Sequence, residues 1–349
     1  MQERNGKRWI GKLPLNDLST RVLSRITAVR YPQTLIGPTP GEDAAVIDLG
    51  MCELVIHTDP ITEAGSLAGW LALNVAANDV AVTGAKPRWA TLVILLPEDE
   101  PEEHLEAIVE STNRASRELE VEIVGGHTEV TPGLQRPIVI ATAWGCTCKG
   151  CSVPTGGAKP GDMVIQVKPA GLEGTAILAT DFKDLLVKLG VDEDVIDRAA
   201  LLQERISVVR EALALAERGL ATSMHDPTEG GLIGGLVEIA YASGASIIVD
   251  EEKILVSEET RIISSRLSID PLKLISSGTL LATVDKGKLD QASSLLDSMG
   301  VEYSVIGRVV ERDRWILKVM SGEGYVVYNE PPQDEISRVW AGRHGQEGS

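Results

Sequence analysis

The chain has 349 residues, 51 acidic against 33 basic side chains, a formal net charge of −18 and a pI of about 4.8. No Lys/Arg cluster interrupts that balance, which argues against binding nucleic acid or an anionic membrane surface, since both demand a basic face. The longest apolar run at a strand, Ala90 to Leu96, falls far short of the ~20 residues that a spanning helix needs.

The charged opening MQERNGKRWIGK is not followed by an apolar segment, so the expectation is a cytoplasmic protein without a secretion signal. The length suits two domains, each with its own core. With Phe182 as its only phenylalanine, that core must be built from Val, Leu, Ile and Ala.

Leu13 to Val29 reads as a helix, with Leu15, Leu18, Val22, Ile26 and Val29 on one face and Asn16 as N-cap. Tyr31 to Gly41 is turn-rich, either a loop or an arm over a site. Ala44 to Leu49 and Glu53 to Asp59 read as a hairpin joined at Gly50. That hairpin would set Asp43 and Asp59 side by side at its open end, although either aspartate could simply cap its own turn. Leu67 to Val82 reads as a buried helix with Asn78 and Asp79 near its end. A carboxylate there requires a cation, a metal or a set of donors.

Arg88 to Leu96 is a buried strand and Pro101 to Leu119 a surface helix. Val121 to Val130 reads as a strand that stops at Gly125–Gly126, followed by His127, Thr128 and Glu129. Backbone N–H groups there and the Thr128 hydroxyl would suit phosphate oxygens; a tight turn explains the glycines equally well. Arg136 to Trp144 closes the first half as a strand.

Cys146, Cys148 and Cys151 could supply most of a zinc site if Cys52 or His127 were the fourth ligand. A disulfide, or plain reduced thiols in a linker, are the other readings of the same residues. Val153 to Asp162, with its Pro and Gly punctuation, marks a domain boundary.

Beyond it, Met163 to Lys168 is a strand, and Gly171 to Ala179 a glycine turn entering a helix whose N-terminus suits an anion. Asp192 to Gly219 reads as helical. In Met224 to Gly244 a strand end carries Asp226, and Thr228 and Glu229 cap a helix starting at Gly230–Gly231. Ser246–Val249, Thr279–Val284, Tyr303–Val309 and Trp315–Val319 read as strands, with helices at Glu258–Leu267 and Lys288–Met299. Both halves are therefore mixed α/β. Asp43, Asp59, Asp79 and Asp226 each stand between an apolar run and small residues, and are expected to converge on metal ions that hold a nucleotide's phosphates.

Walker A, GxGxxG, GxSxG and HExxH sequences are all absent. The ordered set GEDAAV, HTDP, NDVAVTGAKP, GGHTEV, GLEGTAI, HDPTEGGL and SGTLLATV instead resembles the aminoimidazole ribonucleotide (AIR) synthetase, or PurM-like, superfamily, from about Gly11 to Arg308. That superfamily also contains thiamine-monophosphate kinase, selenophosphate synthetase and the hydrogenase-maturation protein HypE. The phrases GKLP and ANDVAVTGA are most similar to the HypE branch.

The resemblance implies an N-terminal ATP-binding and dimerisation domain over 1–152, a C-terminal α/β domain over 153–330 and a tail over 331–349. The N-terminal strands would pair with a second subunit's into a β-barrel, giving a homodimer. ATP would lie between the domains, with Mg²⁺ held by Asp43, Asp59, Asp79 and Asp226, of which Asp79 and Asp43 would also be catalytic. Asn78, Gly125, Gly126, Thr128, Gly174 and Thr228 would contact the nucleotide.

The implied chemistry is phosphoryl transfer that activates an amide, carboxyl or phosphate oxygen on a small molecule or protein, where Mg²⁺ neutralises developing charge. A kinase similar to thiamine-monophosphate kinase, or a non-catalytic nucleotide-binding scaffold in metallocentre maturation, are the alternatives. No Cys follows Cys151, so the expected acceptor is not a C-terminal thiocarboxamide.

Overall fold

The structure is a computed structural model, and it describes residues 12–26, 29–62, 64, 67–322 and 324–340. Gly11 of the GKLP motif, residues 1–10 of the expected N-terminal domain and residues 341–349 of the expected tail lie outside the described residues.

Two mixed sheets build the molecule. The first contains β1 (Thr34–Ile36), β2 (Ala45–Asp48), β3 (Cys52–Ile61), β4 (Lys86–Leu96), β5 (Glu122–Val130) and β6 (Ile138–Cys148), in the order β1-β2-β3-β6-β4-β5. The second contains β7 (Met163–Val167), β8 (Ala221–His225), β9 (Ser246–Asp250), β10 (Leu280–Val284), β11 (Tyr303–Val310), β12 (Leu317–Ser321) and β13 (Gly324–Tyr328). Its order is β13-β12-β9-β11-β7-β10-β8. Pairing is antiparallel except for β4 with β5 and β9 with β12.

The β2–β3 hairpin forms as expected, with Ala45 opposite Ile56. The helix Ala68–Val82 packs on the first sheet, and all of its residues are buried. It is apolar almost all round, which is the pattern of a helix enclosed on every side. One flank meets the helix Glu102–Leu119, and another reaches the second half, where the Trp70 indole Nε1 donates to the Gln203 carbonyl at 3.0 Å.

Three elements depart from expectation. The first helix is interrupted: Leu15–Asp17, a π-helical turn Leu18–Leu23, then Ser24–Ile26, starting after Pro14 rather than capped by Asn16. Only Leu15 in that run is buried, and Ile26 and Val29 are exposed, so the apolar stripe does not face a core in this chain. Strand β5 does not stop at Gly125–Gly126 but runs through them, parallel to β4, with Gly126 opposite Leu92. A Cβ on Gly126 would sit 1.9 Å from the Leu92 carbonyl oxygen, so glycine is there for close strand approach and not for a loop.

Asp192 to Gly219 is likewise not one helix. Glu193–Ala200, a 3₁₀ segment Leu201–Arg205 and Val209–Glu217 are separated by Ile206 to Val208, whose backbone is engaged by Asn78. Strands β1 and β13 extend the sheets beyond what periodicity indicated.

Candidate active site between the two sheets

Asn78 and Asp79 lie in the last turns of the helix Ala68–Val82. A carboxylate there meets the negative end of the helix dipole, which raises its need for a cation. Asn78 is fully buried and ties the halves together. Its Nδ2 donates to the Ile206 carbonyl and to Asp226 Oδ2, both at 2.9 Å, and its Oδ1 accepts from Val208 N at 2.9 Å. Asp226, at the end of β8, takes a further bond from Gly278 N at 3.2 Å.

Asp43, Asp59, Asp79, Asp226 and Thr228 all line one cavity of about 310 Å³ between the sheets. Burial raises the Asp59 carboxyl to about 7, and the neighbouring Glu229 and Asp79 add to it. Burial, then Asp79, pushes Asp226 well above the usual range. Asp43 is raised by burial to about 6, against the pull of His225.

Residues that the sequence reading passed over complete the cluster. His57 Nε2 stands 3.0 Å from Asp79 Oδ2, while its Nδ1 contacts the Asp43 carbonyl oxygen. His225 is clamped between Asp43 Oδ1 at 2.5 Å and Glu238 Oε2 at 2.9 Å. Burial works against charge on that imidazole, but Asp43 and Glu238 outweigh it and raise His225 to about 10. Lys12 Nζ donates to Thr228 Oγ1 at 2.7 Å and lies 3.6 Å from both Glu229 and Glu238. The available signal was a histidine just ahead of an Asp-Pro pair in each half: His57 in HTDP and His225 in HDP.

Ligand atoms of His57, Asp59 and Asp79 lie within 4.8 Å of one another. At that spacing two carboxylates repel by roughly 3 kcal/mol for an effective dielectric near 20. A divalent ion removes that term. The carboxylate oxygens fit Mg²⁺, a hard cation that takes one or two carboxylates and keeps waters or phosphate oxygens as its other ligands. His57 then serves as the cationic neighbour of Asp79, because an imidazole ligand would favour a softer metal.

Other expected contacts fall outside this cavity. Gly125, Gly126 and Thr128 lie on the edge strand β5, which is largely exposed. Gly174 is packed under Leu274, and its amide donates to the Ile275 carbonyl at 3.0 Å, so that N–H is not offered to an anion. The helix Gly231–Ala242 is capped at Gly230 by the Asp334 carboxylate at 2.7 Å; the Thr228 and Glu229 side chains take no part.

This is an α/β protein of two mixed sheets with an acidic cavity between them. The chain belongs to the AIR synthase related family: residues 41–147 match that family's N-terminal domain and residues 159–320 its C-terminal domain. A hydrogenase expression/formation protein of Methanocaldococcus jannaschii is 30% identical over 315 residues, covering 87% of this chain and 90% of that one. Carbamoyl dehydratase HypE of Cupriavidus necator is 31% identical over 280 residues, covering 78% and 77%. The crystal structure of Escherichia coli HypE superposes with a TM-score of 0.70 at 25% identity, covering 87% of this chain and 94% of that one. Thiamine monophosphate kinase of Aquifex aeolicus shares the fold, with a TM-score of 0.63 at 21% identity, over 81% of this chain and 92% of that one.

Among the described residues, no helix is long and apolar enough to cross a membrane.

Proposed function

We propose that this chain is an Mg²⁺-dependent, ATP-using enzyme that activates an amide, carboxyl or phosphate oxygen by phosphoryl transfer. The observation that carries the reading is the meeting of Asp43, Asp59, Asp79 and Asp226, from both halves of the chain, around one cavity. Relatives named carbamoyl dehydratase support a dehydrating reaction on an activated oxygen.

Asp59 and Asp79 hold the ion, with Asp43 and Asp226 facing it across the cavity. Bound Mg²⁺ supplies charge neutralisation for the triphosphate. The protein's own part is to orient those carboxylates: His57 stands beside Asp79, His225 and Thr155 hold Asp43, and Asn78 holds Asp226.

The working unit is a homodimer. Strand β5 forms the edge of its sheet with Val124 and Val130 exposed, an edge that a second copy would cover. In that assembly Gly125, Gly126 and Thr128 contact nucleotide from the β5 edge.

Phosphate release from ATP, measured with Mg²⁺ and with chelator, tests the reading. Wild-type turnover should require the ion and fall at least about a hundredfold in Asp79→Asn. Equal rates in the two proteins would overturn it, and a new phosphate ester in place of free phosphate would move the assignment to a small-molecule kinase.

A further inference from the structure

The four cysteines sit far from this cavity in sequence pattern, yet the first sheet gathers them at one end. Cys52 opens β3 and lies directly opposite Cys148 at the end of β6. Directly opposed residues of an antiparallel pair share a face, as do residues two apart on one strand. Cys146 is therefore on the same face, and its Sγ lies 3.2 Å from Cys52 Sγ. Cys151 follows in a reverse turn, Cys151 N to Cys148 O at 3.0 Å, and is disulfide-bonded to Cys148 with a Cα separation of 5.2 Å. Glu53, buried and pointing the other way from Cys52, holds the turn by accepting from Gly150 N at 2.7 Å and Ser152 N at 3.3 Å.

We propose that Cys52, Cys146, Cys148 and Cys151, once reduced, form a tetrathiolate zinc site at the end of the first sheet. Zinc–thiolate bonds of about 2.3 Å in a tetrahedron place sulfurs about 3.8 Å apart, so the Cys52–Cys146 pair needs to open by only about 0.6 Å. A dithiol reductant delivers two electrons and two protons to the Cys148–Cys151 bond and leaves as its own disulfide. Zn²⁺ then replaces the four thiol protons, which pass to solvent. His127, the other conceivable ligand, pairs with Val93, whereas Cys146 pairs with Lys86 at the opposite end of β4.

The site would brace the linker between the halves. Four residues beyond Cys151, Thr155 donates its hydroxyl to Asp43 Oδ2 at 3.0 Å, and the amides of Thr155 and Gly156 bind Glu42.

The test uses the full chain purified under a reducing agent and loaded with Co²⁺ in place of zinc. The expected result is about one ion per chain showing thiolate-to-cobalt charge transfer with tetrahedral ligand-field bands. Cobalt bound by the carboxylate cavity gives no thiolate band, so the two sites are read separately. Cys52→Ser and Cys146→Ser should each lose or shift the thiolate band while keeping the wild-type circular dichroism. Reduced wild-type protein with four reactive thiols and no thiolate–cobalt band would overturn the proposal, and so would a band unchanged in Cys52→Ser.

Discussion

Replacing Asn78 with alanine tests whether the two halves are joined where the chemistry sits. The substitution removes three hydrogen bonds at once and strands three partners in a dry interior: the Ile206 carbonyl, Val208 N–H and one oxygen of Asp226. A buried group left without its partner costs about 1–3 kcal/mol, so the sum is roughly 3–6 kcal/mol after allowing for shared relaxation. That is a large part of the ~5–15 kcal/mol that keeps a domain folded. Urea unfolding of wild type, Asn78→Ala, Asp226→Asn and the double variant gives the cost and its coupling. Residues in one network should couple by at least about 0.5 kcal/mol. A cost under about 1 kcal/mol, or strict additivity of the two changes, would refute the claim that Asn78 orients Asp226 across the halves.

Two further changes probe groups beside the site. Glu173 is almost wholly buried, and burial, with like charges on Glu229 and Asp59 behind it, raises its carboxyl from 4.5 to about 8. A raised folded-state value means that its contribution is fully present below about pH 4.5 and is lost as pH climbs toward 8. Wild-type stability should therefore fall by up to about 1.4 kcal/mol per pH unit across that window relative to Glu173→Gln. Identical pH profiles from chemical unfolding would show that the buried carboxyl is not protonated. Gly126→Ala places a methyl group against the Leu92 carbonyl oxygen and should cost about 1–3 kcal/mol, read as a lowered Tm. An unchanged Tm would mean that β5 is not held against β4 as described.

Much of this architecture was legible because its signals are local. Gly50 between two alternating runs gives a hairpin, and the run from Ala68 to Val82 has no polar face to present to water. What escaped the sequence depends on contacts between distant residues. The break at Ile206 to Val208 has no helix-breaking residue; its backbone groups are taken up by side chains distant in sequence, Asn78 on Ile206 and Val208 and Lys168 on Ser207. Gly125–Gly126 carried two meanings that composition cannot separate, a loop for an anion and a strand pressed against its neighbour, and the β4 register decides for the strand. The cysteines likewise stayed ambiguous until the register of β3 against β6 set Cys52 opposite Cys148 and brought its sulfur to that of Cys146.

The position of the site follows from charge. Two of the site's carboxylates are held across the halves: Asp43 belongs to the first half, but its cationic partner His225 belongs to the second. Asp226 belongs to the second half, but the amide that orients it, Asn78, belongs to the first. The Asp59–Asp79 pair lies within the first half, whereas Asp43 and Asp226 are each oriented around the cavity by a side chain of the other half. A ligand that binds this packed state and not the separated one stabilises it by RT ln(1 + [L]/Kd), about 2.7 kcal/mol at a hundredfold excess over Kd. If ion and nucleotide bind across this cavity as proposed, their binding is coupled to the packing of the halves, and loss of Asn78 or His225 should weaken that coupling.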